Sequence, residues 1–143
     1  MSRSQRALLA MLLAGGPLAG HAACTLNALG MNFGGYDVFR PEDTEMTATL
    51  EVSCDVDTHY EISLSAGLGS YTARTLTSGT DLLIYNLFVD PTRLSIWGDG
   101  SAGTGTVSGQ GTSANYAVYG RIPARQNAPV GQYSDSVTVT VTF

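Results

Sequence analysis

The last eleven residues, YSDSVTVTVTF (133–143), alternate apolar and polar side chains, strictly so from Ser136 on, and this pattern leaves the chain few folds to choose from. Val137, Val139, Val141 and Phe143 fall on one face of a strand, and Ser136, Thr138, Thr140 and Thr142 on the other. β-branched side chains suit a pleated, half-buried surface and lose rotamer freedom in a helix, so the run reads as strand. A strand this regular pairs with neighbours. With no residue after Phe143, the next strand of its sheet is expected to come from elsewhere.

The 143 residues have room for one domain with a real hydrophobic core. The first segment is not expected to belong to it. Arg3 and Arg6 precede the apolar run ALLAMLLA at residues 7–14, Gly15-Gly16-Pro17 breaks that run, and small residues follow up to Ala23. This is the layout of a secretory signal peptide, with residues 1–22 removed and residues 23–143 forming the exported domain. A transmembrane anchor fails on length, since a span needs about 20 apolar residues. Cys24 also stands where a lipidated cysteine would, but His21-Ala22-Ala23 lacks the leucine usual three places upstream.

Without the leader, five arginines face twelve acids, a formal charge of −7, and the chain holds no lysine. Such an acidic surface disfavours nucleic acid and anionic lipid as partners. The two cysteines, Cys24 and Cys54, both lie in the exported part, where an oxidising compartment makes one disulfide the default. A zinc site needs further ligands, and His59 is the one histidine left. No metal and no cofactor are expected.

Along the chain, residues 25–33 read as a first strand kinked at Gly30, and residues 36–43 as a connection. Residues 44–54 alternate throughout, with Met46, Ala48, Leu50, Val52 and Cys54 on the inner face. Asp55-Val56-Asp57 then reads as a turn into a hairpin partner carrying Tyr60, Ile62 and Leu64. Residues 66–81 lack a period and read as loop or a short edge element. Residues 82–89 (LLIYNLFV) read as a buried strand, and residues 93–97 as a further short one. Six glycines in the fourteen positions 98–111 mark a loop or hairpin connection; the stretch lacks the G-K-[ST] ending of a phosphate loop and the spaced acids of a calcium loop. Residues 116–122 form another strand and residues 123–131 a Pro/Gly-bounded turn. Six to eight short strands between turn signals, with no helical period beyond the leader, point to an all-β antiparallel sandwich.

Catalytic chemistry finds little to stand on. Nucleophilic catalysis needs a nucleophile, a base and an orienting group. His59 is alone at a strand start, Asp55 and Asp57 or Glu42 and Asp43 read as solvated turn acids, and Arg121 and Arg125 as surface or inter-strand pairs. The expectation is a non-enzymatic protein.

One set of residues is more specific. The order Cys24, Phe33-Gly34-x-Tyr36, Cys54, Tyr60-x-Ile62-x-Leu64-Ser65, Arg74-Thr75-Leu76, Leu83-x-Tyr85-Asn86-Leu87, Asp90, Trp97-Gly98-Asp99-Gly100, Tyr119-Gly120-Arg121-Ile122-Pro123-Ala124 and Gly131-x-Tyr133-x-Asp135-x-Val137-Thr138-Val139-Thr140-Val141 resembles the spore coat protein U domain, which is shared with pilins of the archaic chaperone-usher type. The resemblance covers essentially everything after the leader. It implies an incomplete immunoglobulin-like antiparallel β-sandwich lacking its final strand, whose groove is filled first by a strand of a periplasmic chaperone and then by the N-terminal extension of the next subunit. On this view Val137, Val139, Val141 and Phe143 line the groove and bind the chaperone, and the carboxylate of Phe143 anchors on a basic chaperone residue. Groove filling is strand addition at an open edge, and an unpaired edge of this kind aggregates, which gives a physical reason for a chaperone. Tyr133 is expected to bond back to the preceding turn as a tyrosine corner.

The resemblance further implies partners in a periplasmic chaperone, an outer-membrane usher and other pilus or coat subunits. It implies a route through the periplasm to the cell surface, with no membrane span after leader cleavage, and a part in adhesion or biofilm. A donating subunit needs an alternating apolar stretch before its first cysteine, and after cleavage at most Ala23 precedes Cys24. That departure points to a terminal place in a fibre, to self-complementation, or to a coat. The competing expectation is an adhesin or glycan-binding module acting through the Gly/Ser/Thr-rich loops at residues 67–81 and 98–111, since loops on a rigid sandwich commonly carry function.

Overall fold

The computed structural model describes residues 4–14, 23–28 and 30–143, the first of these by backbone alone. Eight strands follow one another: β1 (Ser4–Ala14), β2 (Cys24–Ala28), β3 (Met31–Gly35), β4 (Thr44–Leu64), β5 (Arg74–Ser78), β6 (Asp81–Phe88), β7 (Val107–Ile122) and β8 (Tyr133–Thr142). All belong to one continuous sheet in the order β2-β4-β7-β6-β5-β8-β1-β3, which closes on itself where the end of β4 also pairs with β8. The all-β class expected from the strand pattern holds. Every pairing among named strands is antiparallel except one, the parallel pair β1–β8.

The expected hairpin at residues 55–57 does not form. β4 is a single strand of 21 residues, and both of its halves pair with the same neighbour, β7. Between Ser53 and Thr58 the register slips, so that four residues of β4 lie opposite Thr112 alone. This irregularity interrupts the ladder without reversing the strand, as bulges do. The first half is flanked by β2, in register Cys24↔Cys54 and Leu26↔Val52, and the last residues of the second half by β8. The expected disulfide joins Cys24 to Cys54 across the β2–β4 pair.

Two other strand boundaries differ from the sequence pattern. The single kinked strand expected over residues 25–33 is two strands on different partners, β2 on β4 and β3 on β1. The glycine-rich stretch at 98–111 is loop only in its first part, because β7 begins at Val107 and runs through Gly109 and Gly111. At Gly109 a Cβ would collide with the hydroxyl end of Tyr60, 2.7 Å away, and with that of Tyr116. The residue is glycine because two tyrosines approach the backbone there. Residues 93–97 make isolated bridges, Phe88↔Ile96 and Trp97↔Gly105, in place of a strand.

The core lies inside the closed sheet and gathers Leu26, Met31, Leu50, Val52, Ile62, Leu64, Leu76, Leu83, Leu87, Trp97, Val118, Ile122 and the valines of β8. Phe33 meets Tyr85 edge-on with ring centroids 6.0 Å apart. β6 alternates where the sequence suggested a strand buried on both faces: Leu83, Tyr85 and Leu87 point inward, while Leu82 and Ile84 are 60% and 46% exposed. No helix among the described residues is long and apolar enough to cross a membrane.

Candidate functional site: the edge of the closing strand

β8 carries the alternation from sequence into structure. Tyr133, Asp135, Val137, Val139 and Val141 are buried, and the residues between them face outward or are half-buried. Phe143, one place beyond the strand, is partly buried against the core. Three of the four residues expected to line a groove therefore form one continuous inner face, and the fourth flanks it.

The two edges of β8 are served differently. On one side Thr77 of β5 pairs with Ser134, and residues 61–64 of β4 pair with residues 139–142. Ser65 bridges the gap between them: its N–H donates to the Thr138 carbonyl at 2.9 Å, and its Oγ accepts from the Thr138 N–H at 2.8 Å. On the other side lies β1, parallel to β8 over ten consecutive register pairs from Gln5↔Tyr133 to Ala14↔Thr142. Leu9, Met11 and Leu13 stand at the positions paired with Val137, Val139 and Val141. The neighbour expected from elsewhere is thus the apolar run that reads as a leader.

The start of β8 is fixed by polar contacts. The Tyr133 hydroxyl donates to the Pro129 carbonyl at 2.6 Å, the expected bond back to the preceding turn. Asp135 is almost fully buried and saturated. Its Oδ1 accepts from the N–H groups of Leu68 at 3.0 Å and Ser136 at 2.9 Å, and its Oδ2 from the Tyr85 hydroxyl at 2.6 Å. Gly67, at φ +65°, leaves the space that carboxylate fills, since a Cβ there would strike it. Burial, reinforced by the bond to Asp135, pushes the Tyr85 phenol well above its ordinary range.

Behind Tyr85 sits Arg74, with none of its surface exposed. Its guanidinium donates to the Ser65 carbonyl from Nε (3.0 Å) and Nη2 (2.7 Å), to Asn86 Oδ1 (2.8 Å) and to the Trp97 carbonyl (2.6 Å). Burial lowers the guanidinium from its usual value. The Asn86 amide donates in turn to the Tyr71 carbonyl at 2.8 Å, and the Trp97 indole donates to the Ile62 carbonyl at 3.0 Å. Arg74, Tyr85, Asn86, Trp97 and Asp135 all stand in the residue order that carries the family resemblance, yet nothing in that order showed that they meet. One signal was legible: Asp135 shares the parity of Val137, which places a carboxylate on the buried face.

The residues weighed as catalytic candidates do not converge. His59 is exposed and stands opposite Gln110. Asp55 accepts from the Ala23 N–H, Asp57 from Gln110, Asp43 from the Ala124 N–H, and Glu42 pairs with Arg40. Arg121 stacks over Phe88 at 5.1 Å, donates to the Arg93 carbonyl at 2.8 Å and lies 3.8 Å from Asp43. Each group holds a turn or a strand pair. Among the described residues no group of three or more His, Cys, Asp or Glu side chains is placed to hold a metal ion.

A solved structure of the CsuC–CsuE chaperone–tip adhesion subunit pre-assembly complex, from the archaic chaperone-usher Csu pili of Acinetobacter baumannii, superposes on 86% of this chain with a TM-score of 0.65 and 26% identity. The match takes in 40% of the chain in that complex, so the protein spans less than half of its neighbour's length. Protein U of Myxococcus xanthus is 38% identical over 128 residues, covering 79% of this chain and 71% of that protein. The model of the Spore Coat Protein U domain matches residues 9–140, from within β1 to within β8. The chain belongs to the Spore Coat Protein U domain family.

Proposed function

We propose that this protein is an exported, non-enzymatic structural subunit of a surface fibre or coat, of the archaic chaperone-usher type, and that it is completed by a strand added along β8. The observation that carries this reading is the partner of β8. Its far edge is paired over ten residues by Ser4–Ala14, the run with the composition of a cleavable leader. Cleavage after Ala22 or Ala23 removes that strand and leaves β8 with unpaired main-chain groups beside an apolar inner face, in effect a sandwich lacking its final strand. Val137, Val139, Val141 and Phe143 then form the wall that a donor strand covers.

The chemistry of the donor follows from the sheet. Main-chain hydrogen bonds along β8 supply the pairing, and apolar side chains at alternate positions cover the three valines. The run at residues 7–14 is apolar at every position, as the core of a cleavable leader is. The Csu neighbour is a chaperone–subunit complex, which supports a periplasmic chaperone as the first donor and other subunits, delivered through an outer-membrane usher, as its successors. Adhesion and biofilm formation are the roles that such a surface assembly serves.

Immunogold labelling of intact cells tests this. Antibody against residues 23–143 is expected to decorate fibres or a coat at the surface. A Val139→Asp chain, whose groove wall carries a charge, is expected to be exported and then lost before assembly. Labelling confined to the cytoplasm, or normal surface assembly of Val139→Asp, contradicts the reading.

A further inference from the structure

Beside the closing strand, on the outer side of the sheet, lies a polar groove of about 240 Å³. Its floor is Ser63 at the end of β4 and Ser65 just beyond it, with Thr138 and Thr140 from β8, and its walls are Tyr71 and Asp99 from two separate loops. Ser63, Thr138 and Thr140 line this concave surface, and their hydroxyls form no hydrogen bond to another of the described residues. The walls are held in place. The Arg74 guanidinium lies 5.7 Å from the Tyr71 ring centre, and the Tyr71 carbonyl accepts from the Asn86 amide.

The loop carrying Asp99 is equally constrained. Its Oδ1 accepts from the Ser101 N–H at 2.9 Å, Gly98 and Gly105 exchange 2.9 Å main-chain bonds with the loop stem, and the preceding Trp97 is anchored in the core. Bonds from Ser101 hold the Asp99 carboxyl below its ordinary value, so the group is ionised at neutral pH.

The lining selects its ligand by exclusion and by match. The one charged side chain that lines the groove is the Asp99 carboxylate, with the buried Arg74 behind Tyr71, and the protein as a whole is acidic, which disfavours anions. A single carboxylate without companions makes a poor metal site, and free hydroxyls are wasted on an apolar guest. Hydroxyls that both give and accept, a carboxylate able to accept from two neighbouring hydroxyls, and a fixed aromatic ring together suit a neutral, polyhydroxylated ring. The volume lies below that of drug-sized pockets, as fits one sugar unit.

We propose that this groove binds a neutral saccharide unit, with Asp99 accepting from vicinal hydroxyls, Tyr71 packing against the ring, and Ser63, Thr138 and Thr140 bonding its remaining oxygens. The site uses the outward-facing Thr138 and Thr140 of β8, whereas the proposed function rests on the inward-facing Val137, Val139 and Val141.

Saturation-transfer NMR on the full chain tests this, with D-glucose, D-galactose, D-mannose and N-acetylglucosamine as neutral probes and glucuronate as an anionic one. Saturation is expected to reach at least one neutral sugar and not glucuronate. Asp99→Asn keeps the turn and removes the charge, and Tyr71→Ala removes the wall; each is expected to weaken binding about tenfold or more, the loss of one charged hydrogen bond or of its equivalent in packing. Thr47→Ala, at an exposed site elsewhere on β4, is expected to leave binding unchanged. Urea unfolding of each variant keeps a folding defect distinct from a binding defect. Transfer from none of the neutral sugars, equal transfer from glucuronate, or binding that survives both Asp99→Asn and Tyr71→Ala in folded protein overturns the proposal.

Discussion

Arg74 is the residue on which most of the interior polar contacts depend. Its four hydrogen bonds tie the ends of two loops, through the carbonyls of Ser65 and Trp97, to Asn86 on β6. Truncation leaves those buried acceptors unsatisfied. Arg74→Met is therefore expected to cost about 3 kcal/mol, read as a lower urea midpoint with an unchanged slope. Arg74→Lys is expected to recover little of this, because a single ammonium cannot reach three acceptors arranged around a planar fork. The tyrosines make a second prediction. Burial and the bond to Tyr116 push the Tyr60 phenol up to about 12, and burial with the Asp135 bond raises Tyr85 further. A phenol raised in the folded state stays protonated while the unfolded chain's tyrosines ionise, which draws the equilibrium toward the unfolded state. Stability is thus fully present below about pH 10, the ordinary value, and falls as pH rises from there through the folded values. Urea midpoints at pH 8, 10 and 11.5 check this, and Tyr60→Phe is expected to flatten the alkaline decline.

At the level of elements, the edges of the sheet matter more than its middle. β6 pairs with β7 only through residues 86–88, so the main chain of its first half is open on that side. Gln126 closes it: its amide oxygen accepts from the Ile84 N–H and its amide nitrogen donates to the Ile84 carbonyl, both at 2.7 Å, as a neighbouring strand would. With Leu82 and Ile84 exposed beside it, an unplugged edge is a template for pairing with another copy. Gln126→Ala is expected to produce concentration-dependent association in sedimentation velocity, where the parent chain does not associate through this edge. The Cys24–Cys54 bond closes a loop with a sequence separation of 30 residues, and replacing both cysteines by serine is expected to cost about 3 kcal/mol, measured by urea unfolding.

Alternation made β8 and the first half of β4 legible in the sequence, because one wet and one dry face impose a period of two. The continuation of β4 past residue 54 was hidden. Asp55-Val56-Asp57 has the composition of a turn, and its true role as a bulge is set by β7, whose strand contains two glycines that composition assigns to a loop. The polar groove was hidden for a similar reason: Tyr71 and Asp99 are far apart in sequence and meet only because their loops are anchored at Arg74 and Trp97.

For the whole molecule the question is what completes the sheet. An apolar run of eight residues satisfies the pattern of a leader's core and that of a strand buried on both faces, and no periodicity separates the two. The residues of β8 announce an inner face; they carry no information about which segment lies beside it. The structure pairs β8 with Ser4–Ala14 in parallel, and the proposed function rests on that pairing being lost at export. Amide hydrogen exchange along residues 133–142, in the full chain and in residues 23–143 alone, tests this most directly. The account predicts slow exchange of the β8 amides that face β1 in the full chain and fast exchange, with a lower urea midpoint or self-association, in the leaderless chain. Equal protection of β8 in both, in a leaderless protein that is monomeric and as stable as the full chain, contradicts it.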